Sequence, residues 1–405
     1  RIGTMNGLSD FQVCVGLITE NHFPRLGGME FCNHYLATAL NRIRRVRAVV
    51  ACSALPEVPR NFHYPYTVYR SHSLSILSGY LRRRNIKTMI KLDQPAVLHG
   101  SMIHGGGAAA LSAGQRFGIP VVVQSHGADV QVVPGIGYGA LMDTKLEKLI
   151  RYVLAQADRV IAVSFQNRNM LLDLGAPAER IEIVHHGTPF SEIGAIPEVD
   201  LRKDYGIPGH AFVLLTVGRN SPIKRMEMLY EALAMVRHHV PGIRCVSVGP
   251  IKGLRELADR FGIGDLVILT GPIPDNGHAK TTPPFPKMVN LYRAADLYVS
   301  VSRVEAFNVS ALDALACGTP ILVTQNQGIR DLISEEQTGF VLQDETTEAL
   351  AGLLQRLSMI AGTLRDRRPE IRNSASEHSW DRAAHRMVSI YHNLLEERGA
   401  LRRVV

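Results

Sequence analysis

A run in the second half of the chain carries two carboxylates, Glu305 and Asp313, around the predicted start of a helix. Asn308 is a favourable N-cap, so the sequence predicts a helix over Val309–Ala316. The free backbone amides at the start of a helix favour phosphate binding. Two carboxylates flanking a diphosphate could accept hydrogen bonds from hydroxyl groups. One carboxylate would bind a transferred sugar and the other a ribose. The alternative is a helix-capping loop with a surface aspartate.

Two cations follow another predicted strand, Val213–Val217. Arg219 and Lys224 lie in the loop after this strand, where they could neutralise the charge of a departing diphosphate. Arginine and lysine side chains on loops are usually solvated, so the pair alone is a weak signal. Its weight comes from Glu305, which follows a strand of the same predicted sheet.

Two motifs in the first half of the chain also follow predicted strands. Gly28 belongs to a Gly-Gly turn that opens a helix and lets the backbone approach an anion closely, although a simple tight turn has the same sequence. His126 follows the strand Val121–Gln124 and could donate a hydrogen bond to a sugar or to the reaction centre. A structural histidine is the alternative for His126.

Other patterns that suggest catalytic or metal sites are incomplete. The run His104–Gly107 is similar to the oxyanion turn of lipases, but the sequence has no G-x-S-x-G elbow, so we predict a tight strand-to-helix turn there. His185 and His186 are followed by no third ligand at metal-like spacing, which argues against a zinc site. The five cysteines are odd in number and form no C-x-x-C pair, which predicts buried free thiols.

The elements that position these residues alternate between short apolar runs and amphipathic stretches, which indicates parallel α/β layers. The predicted fold class is α/β, with two Rossmann-like doubly wound domains. Residues 1–190 form the first domain and residues 208–379 the second, with Ser191–Pro208 as a linker. Ligands of such sheets bind at the carboxyl ends of the strands, so we predict that the two domains face each other across a cleft that holds the motifs. Pro272–Lys287 is predicted to be a long surface loop.

The formal net charge is +8 and the isoelectric point is about 9.3, which suits anionic partners such as phosphorylated ligands or acidic membrane surfaces. Nucleic acid is not expected as a partner, because the chain has no long basic tract and no nucleic-acid-binding motif. The basic stretch Tyr80–Lys91 could lie on an anionic bilayer, although such a helix more often covers a sheet and turns its charges to water. We expect a cytoplasmic protein, with peripheral contact at the inner membrane face left open.

Several of these motifs, taken in order, resemble the retaining glycosyltransferases of family 4, which have the GT-B fold. The resemblance begins with Glu305-x7-Asp313 and the Ala-Leu-Ala-Cys-Gly-Thr-Pro that follows, together with Gly218-Arg219 and Lys224. Further matches are Gly27-Gly28-x-Glu30, His126-Gly-x-Asp129, Ala157-Asp158-x-Val-Ile-Ala-Val-Ser164, Tyr292-x-x-Ala-Asp296 and Ser379-Trp380. The resemblance spans nearly the whole chain, and the ordered set of motifs makes it specific.

The resemblance implies roles for the charged candidates. Glu305 would contact the hydroxyl groups of the donor sugar. Asp313 would hold the ribose, with a side chain one methylene shorter than the glutamate of the family motif. Arg219 and Lys224 would neutralise the diphosphate.

The resemblance also implies roles for the backbone and for two residues of the first domain. The backbone amides of Phe307, Asn308 and Val309 would face phosphate or sugar, with Asn308 at a position where the family often has glycine. His126 would lie near the donor sugar. Gly28 would belong to the loop that closes on the phosphates.

The reaction implied by the resemblance is transfer of a sugar with retention of its anomeric configuration, without a metal. No cofactor is expected, since the nucleotide sugar is a substrate. UDP is the nucleotide expected first, and the acceptor is an unidentified hydroxyl compound. A last helix, at about residues 380–405, is expected to pack back on the first domain. Three alternatives stay open: a sugar-nucleotide epimerase or hydrolase, a non-catalytic nucleotide-sugar-binding protein, and a nicotinamide oxidoreductase, against which the missing G-x-G-x-x-G counts.

Overall fold

A computed structural model describes residues 13–54, 58, 62–71, 78–274 and 282–399 of the chain. The chain divides into two compact units, each with its own parallel β-sheet. The first unit contains the described residues up to Val132, the segment Gly139–His185 and residues 380–399. The second unit contains Val133–Tyr138 and His186–Ser379.

The first unit is a seven-stranded sheet covered by helices. Its strands are β1 (Val13–Ile18), β2 (Val46–Ala54), β3 (Val68–Ser71), β4 (Val97–Ser101), β5 (Val121–Gln124), β6 (Arg159–Ala162) and β7 (Ile181–Ile183). Its helices are α1 (Gly28–Arg42), α2 (Ser78–Asp93), α3 (Ala108–Phe117), α4 (Thr144–Gln156) and α5 (Phe165–Asp173). The strand order is β3-β2-β1-β4-β5-β6-β7. Strands β2 and β3 are added on one side of β1, and strands β4 to β7 are added on its other side. The reversal between β1 and β4 is the topological switch point of a doubly wound fold.

The second unit repeats this plan with six strands. They are β8 (Val213–Val217), β9 (Arg244–Val248), β10 (Val267–Gly271), β11 (Leu297–Ser300), β12 (Ile321–Thr324) and β13 (Gly339–Leu342). The helices are α6 (Phe190–Ala195), α7 (Leu201–Asp204), α8 (Met226–Val236), α9 (Leu254–Arg260), α10 (Pro286–Ala294), α11 (Val309–Ala316), α12 (Thr347–Met359), α13 (Ala361–Asp366) and α14 (Arg368–Ala375). The strand order β10-β9-β8-β11-β12-β13 places the switch point between β8 and β11.

The last helix, α15 (Trp380–Glu397), belongs to the first unit. The Trp380 ring stacks on Tyr35 of α1, with 6.0 Å between ring centroids. The hydroxyl of Tyr391 lies 2.6 Å from Nδ1 of His99 on β4. Both contacts are made by buried side chains of one amphipathic face, which explains why this helix packs against the sheet rather than lying in solvent.

The central strands are mostly apolar because helices cover both faces of each sheet. In β5, for example, every residue is buried. The predicted strands Val121–Gln124 and Val213–Val217 match the observed bounds. The apolar run Phe11–Ile18 predicts the first strand, and its residues Phe11 and Gln12 lie outside the described residues, as do residues 275–281 of the predicted surface loop. The predicted α/β class with two Rossmann-like doubly wound units is confirmed.

The segment predicted as a linker, Ser191–Pro208, contains helical structure. Most of α6 and the whole of α7 fall within it, and both belong to the second unit. Asp200 caps α7 by accepting a hydrogen bond from the backbone amide of Arg202. Pro197 lies between these two short helices and Gly194 lies inside α6, so the segment is not an extended stretch.

The basic helix α2 covers β2 and turns its charges to water. Ile86 and Met89 are buried, whereas Arg83, Arg84 and Lys87 are exposed. The prediction that the helix covers a sheet is confirmed, and peripheral membrane contact stays a prediction. Within the described part of the chain, no helix combines the length and apolar character needed to span a membrane.

Two buried histidines share one tyrosine beside β1 and α1. The Tyr66 hydroxyl lies 3.0 Å from Nε2 of His22 and 2.6 Å from Nδ1 of His34. Burial lowers the pKa of His34 to about 4. Burial, with smaller contributions from the positive charges of His34 and Arg70, lowers the pKa of His22 to about 3. Both rings are therefore neutral in the folded protein at pH 7.

Replacing His34 with glutamine should make stability less dependent on pH. An unfolded histidine takes up its proton near pH 6.5, while folded His34 does so only near 4. Stability that is fully present above pH 6.5 is therefore lost as the pH falls toward 4. At pH 5 this loss is about 2 kcal/mol for one such histidine. Urea unfolding at pH 7.5 and at pH 5 measures the difference.

The matched control is His239→Gln, because His239 is exposed. This variant should keep the wild-type difference between the two pH values. The explanation is wrong if His34→Gln loses as much stability between pH 7.5 and pH 5 as the wild-type protein does.

Candidate functional site

The switch point of the second sheet brings the two strongest sequence motifs together. The loop after β8 carries Arg219 and Lys224, and the loop after β11 carries Glu305. Since β8 and β11 are adjacent parallel strands, both loops leave the same edge of the sheet. Nζ of Lys224 donates a hydrogen bond of 2.5 Å to Oε1 of Glu305. The side chain of Arg219 is exposed at the same edge.

Two glycines, Gly218 and Gly249, allow close contacts at the end of β8. Gly218 has a φ of +152°, and a Cβ atom there would lie 3.4 Å from Cε of Lys224. A Cβ atom on Gly249 would come within 2.2 Å of the Gly218 carbonyl oxygen. The close approach of these two loops therefore requires glycine at position 249.

Arg225 connects the same two strand ends, a role that no sequence motif indicates. Its Nε donates to the Val301 carbonyl oxygen at 2.6 Å, and its Nη2 donates to Oε2 of Glu345 at 2.6 Å. Its φ of +49° is a left-handed conformation at the N-cap of α8. Glu345 lies 120 residues away in sequence. No local pattern could have indicated the pair.

The loop that carries Glu305 is held by the segment after β12. The backbone amide of Glu305 donates to the Asn326 carbonyl at 2.9 Å, and the amide of Gly328 donates to the Glu305 carbonyl at 3.0 Å. The amide of Ile329 donates to the carbonyl of Phe307 at 2.7 Å. Three backbone hydrogen bonds thus fix the loop between the carboxylate and the start of α11.

Asn308 is the N-cap of α11, as the sequence predicts. Its Oδ1 accepts a hydrogen bond from the Ala311 amide at 3.2 Å, and Val309 is the first residue of the helix. Its φ is +87°, in the left-handed region where glycine is favoured and asparagine is tolerated better than most side chains. This conformation gives the physical reason why glycine and asparagine can both serve at this position.

The side chain of Asn308 has a buried partner that the sequence did not reveal. Its Nδ2 donates to Oε1 of Gln327 at 2.7 Å. Nε2 of Gln327 donates to the Ser300 carbonyl at 2.8 Å and to Oγ1 of Thr324 at 3.0 Å. Gln327 therefore links the ends of β11 and β12 to the start of α11, and it orients the backbone amides there.

Phe307 contributes packing rather than a polar side chain. Its ring is buried and meets the ring of His186 edge to face, with centroids 5.6 Å apart. This contact fixes the backbone of the loop between Glu305 and Asn308. The role predicted for Phe307 belongs to its backbone amide, which would face phosphate or sugar, and it stays a prediction.

Asp313 is half-buried in α11, behind the Asn308 cap. Its Oδ1 accepts a hydrogen bond of 2.7 Å from Oγ1 of Thr188, a buried residue between β7 and α6. Burial raises the pKa of the Asp313 carboxyl to about 7, and the hydrogen bond from Thr188 acts in the opposite direction. The carboxyl group can therefore change its protonation state near neutral pH.

Gly28 and His126 lie in the first unit, each after a strand of its sheet. Gly28 begins α1, and a Cβ atom there would meet no heavy atom within 4 Å. A Cβ atom on Gly27 would meet the Glu30 carboxylate, so a larger residue there would require that side chain to move.

Asp129 organises the loop that carries His126. Its buried carboxylate accepts hydrogen bonds from the Ser125 hydroxyl at 2.9 Å and from the amides of Gly127 at 2.9 Å and His126 at 3.3 Å. It also accepts one from the Ile103 amide at 3.0 Å, which connects this loop to the chain after β4. The Asp129 of the sequence motif is thus a structural residue that places the His126 backbone.

The predicted strand-to-helix turn at His104–Gly107 is confirmed. A π-helical turn over Met102–Gly107 joins β4 to α3. A Cβ atom on Gly106 would lie 2.2 Å from the Ile18 carbonyl oxygen. The glycines therefore allow β1 and the start of α3 to touch. The five cysteines form no disulfide with one another, and all except the half-buried Cys14 are buried.

Within residues 13–54, 58, 62–71, 78–274 and 282–399, no group of three or more histidine, cysteine, aspartate or glutamate side chains is arranged to hold a metal ion.

Comparisons with known proteins agree with this architecture. The chain is 28% identical over 344 residues to a D-inositol 3-phosphate glycosyltransferase of Thermobispora bispora, covering 80% of this chain and 75% of the relative. A D-inositol 3-phosphate glycosyltransferase of Salinispora tropica is 29% identical over 327 residues, covering 74% of this chain and 65% of the relative. Both relatives are glycosyltransferases by name.

Solved structures share the fold at low sequence identity. Sucrose-phosphate synthase from Thermosynechococcus elongatus superposes with a TM-score of 0.80 at 20% identity, covering 95% of this chain and 100% of that chain. HepE from Anabaena, in complex with UDP and glucose, superposes with a TM-score of 0.73 at 18% identity, covering 94% of this chain and 100% of that chain.

Two family models match consecutive parts of the sequence. The model described as Glycosyltransferase Family 4 matches residues 26–192, and the model described as Glycosyl transferases group 1 matches residues 198–373. The two matches include the strand-end loops that carry the predicted donor-site residues of both units. The chain is an enzyme that belongs to the family 4 glycosyltransferases and has the GT-B fold.

Proposed function

We propose that this chain transfers a sugar from a UDP-sugar to a hydroxyl group of an acceptor, with retention of the anomeric configuration and without a metal. The observation that carries the proposal is the ion pair of Lys224 with Glu305 at the switch point of the second sheet, next to the start of α11. A cation, a carboxylate and free helix amides at one sheet edge suit a ligand that has both a diphosphate and a sugar.

Each group of the second unit has one task in this proposal. Lys224 and the exposed Arg219 bind the diphosphate, and the amides at the start of α11 add to this positive potential. Glu305 accepts hydrogen bonds from hydroxyl groups of the donor sugar. Asp313 accepts one from the ribose. In the first unit, Gly28 and His126 are assigned to the phosphates and to the donor sugar respectively.

The chemical step breaks the bond between the anomeric carbon and the diphosphate oxygen and forms a bond to the acceptor oxygen on the same face of the sugar. The transition state has oxocarbenium character, so the leaving diphosphate gains negative charge as the bond lengthens. Lys224, Arg219 and the helix amides stabilise that charge. The proton of the acceptor hydroxyl passes to the departing phosphate, which leaves no net change in any protein group.

The comparisons support the choice of donor and the first acceptor to test. HepE was solved with UDP, with UDP and glucose, and with UDP-glucose. The curated relatives in Thermobispora bispora and Salinispora tropica are named for D-inositol 3-phosphate. We therefore place UDP-sugars first among donors, and D-inositol 3-phosphate first in a panel of hydroxyl acceptors.

A thermal-shift screen of UDP-, GDP- and ADP-sugars tests donor binding. A UDP-sugar should raise the melting temperature of the wild-type protein and should have little effect on Glu305→Ala. The matched control is Asp265→Asn, since Asp265 is an exposed carboxylate of the same unit that pairs with Arg237. This control should respond to the donor as the wild type does. The proposal is wrong if none of the three nucleotide classes changes the melting temperature.

The products then separate the proposal from its alternatives. An NMR spectrum of the product should show the anomeric configuration of the donor, formed at an unchanged rate with EDTA present. Free sugar or an epimerised nucleotide sugar, formed without acceptor, would identify a hydrolase or epimerase instead. Donor binding without turnover across the acceptor panel would identify a binding protein.

A further inference from the structure

A buried threonine holds the carboxylate to which the ribose is assigned. Thr188 donates a hydrogen bond of 2.7 Å to Oδ1 of Asp313, and the two residues are 125 positions apart in sequence. Within the described parts of the chain, no other side chain hydrogen-bonds this carboxylate. Oδ2 of Asp313 therefore keeps its capacity to accept a hydrogen bond.

The position of Thr188 is itself fixed on both sides. Its backbone amide donates to the His378 carbonyl at 2.9 Å, and its own carbonyl accepts from the amide of Phe190 at 2.9 Å. It also forms an isolated parallel bridge with Ser379. Because the residue is buried and its backbone is anchored, its hydroxyl presents a rigid donor to Asp313.

The length of the Asp313 side chain makes this support important. Glutamate, the usual residue of the family motif, has one more methylene and one more rotatable bond. Aspartate reaches less far, so a useful hydrogen bond to a ligand depends more strictly on the direction of its carboxylate. The contact with Thr188 selects one orientation of that carboxylate before any ligand binds, which reduces the entropy lost on binding.

We propose that Thr188 is a positioning residue for the donor nucleotide. It orients Asp313 so that the second carboxylate oxygen accepts a hydrogen bond from a ribose hydroxyl, and the pair thereby makes the enzyme select ribonucleotides over deoxyribonucleotides. The inference rests on the proposed function, because it assumes that a nucleoside diphosphate binds at this site.

The electrostatic surroundings of Asp313 give the pair a second property. Tyr292 on α10, Tyr298 on β11 and Cys317 at the end of α11 interact with its charge. The positive charges of Arg293, Arg368 and Arg372 interact with Cys317. Because the hydrogen bond from Thr188 lowers the pKa of Asp313, its loss should raise that pKa above its value of about 7. Ribose selection by a variant without the hydroxyl should then require a higher pH than in the wild type.

The test is the ratio of dissociation constants for deoxyribose and ribose forms of the same nucleotide. UDP, 2′-deoxy-UDP and 3′-deoxy-UDP are titrated calorimetrically at pH 6.5 and at pH 8, and ADP and GDP series are run in parallel. The ratio cancels the titration of the phosphates, which all forms share. At pH 8 the wild-type protein should bind UDP roughly 10-fold to 100-fold more tightly than one deoxy form, as expected for a hydrogen bond to a charged group.

Variants at position 188 separate positioning from packing. Thr188→Val keeps the volume without the hydroxyl, and its ratio should fall below roughly 3-fold at pH 8. Thr188→Ser keeps the hydroxyl and should retain most of the wild-type ratio. Thr188→Ala replaces the valine variant if that variant does not fold. Asp313→Asn should lose the selection as well, and Asp265→Asn should leave it unchanged.

Each outcome has a defined meaning. The inference is overturned if Thr188→Val, or Thr188→Ala in its place, selects ribose as strongly as the wild type at both pH values. It is also overturned if wild-type protein binds UDP and both deoxy forms equally, although the proposed function would survive that result. If no UDP, ADP or GDP form binds the wild type, the proposed function and this inference fail together.

Discussion

Replacing Lys224 with alanine is expected to lower kcat by about 100-fold to 1000-fold while leaving stability almost unchanged. Removal of one group that stabilises the charge of a transition state typically has a catalytic cost of about this size. The contribution of Lys224 to the free energy of unfolding is expected to be small. The side chains of the Lys224–Glu305 pair are 28% and 21% exposed, and ion pairs with access to water contribute about 0–1 kcal/mol. A large kinetic effect without a large stability effect is therefore the expected signature.

The measurement is release of nucleoside diphosphate at saturating donor and acceptor, with the melting temperature recorded for the same samples. Lys203→Ala is the matched control, because Lys203 is an exposed lysine on α7 of the same unit. It should keep wild-type turnover. Lys224→Arg should recover part of the lost activity, since the charge returns with a different shape. A Lys224→Ala enzyme with more than about one tenth of wild-type kcat would contradict the assigned role.

The start of α11 shows which parts of the site could be predicted from the sequence. Asn308, Val309 and Gly318 supply a capping side chain, an apolar helical run and a helix stop within a short stretch. These signals act over a few residues, so a linear sequence contains all of the information. Strand β11, which precedes the loop, is likewise a short apolar run that can be recognised from local sequence. The helix bounds and the cap were therefore predicted correctly.

The residues that orient this loop could not be found in the same way. Gln327 supports Asn308 from 19 positions away, and Thr188 supports Asp313 from 125 positions away. Glutamine and threonine are common polar residues with no spacing pattern of their own. Their roles depend on which strand ends become neighbours, and that is decided by the topology of the whole sheet rather than by local sequence.

Short elements were the other part that the sequence did not predict. Strand β3 has four residues, all half-buried at the sheet edge. Its alternation of apolar and polar residues is too short to be recognised in the sequence. Helices α6 and α7 have six and four residues, fewer than isolated helices need for stability. Contacts in the folded unit stabilise them. The Arg293 side chain, for example, donates to the carbonyl oxygens of Ile193 and Ile196.

Asp296, at the opposite edge of the second sheet from the donor site, should be the most sensitive position for stability among those described above. Asp296→Ala is expected to lower the unfolding free energy of the second unit by about 3–5 kcal/mol. The carboxylate is buried and accepts hydrogen bonds from Arg202 at 2.9 Å and from Nε of Arg365 at 2.6 Å. It also accepts one from the amide of Val213 at 2.8 Å, which ties β8 to the start of β11.

The expected loss is large because the change removes one partner and leaves the others behind. Two guanidinium groups and a backbone amide would lose a hydrogen-bond acceptor that is fully buried, while Arg202 and Arg365 keep the Ala211 carbonyl as a second acceptor. Asp296→Asn keeps one acceptor oxygen and should lose less. Asp265→Ala is the matched control, since Asp265 is 62% exposed and its pair with Arg237 should contribute at most about 1 kcal/mol. Urea unfolding followed by circular dichroism measures all three variants. An Asp296→Ala protein as stable as the Asp265→Ala protein would show that the buried ion pairs contribute no more than surface ones. Donor binding at 25 °C should survive in every variant that remains folded, because this cluster stabilises the sheet and makes no contact with the loops of Lys224 and Glu305 in the described residues.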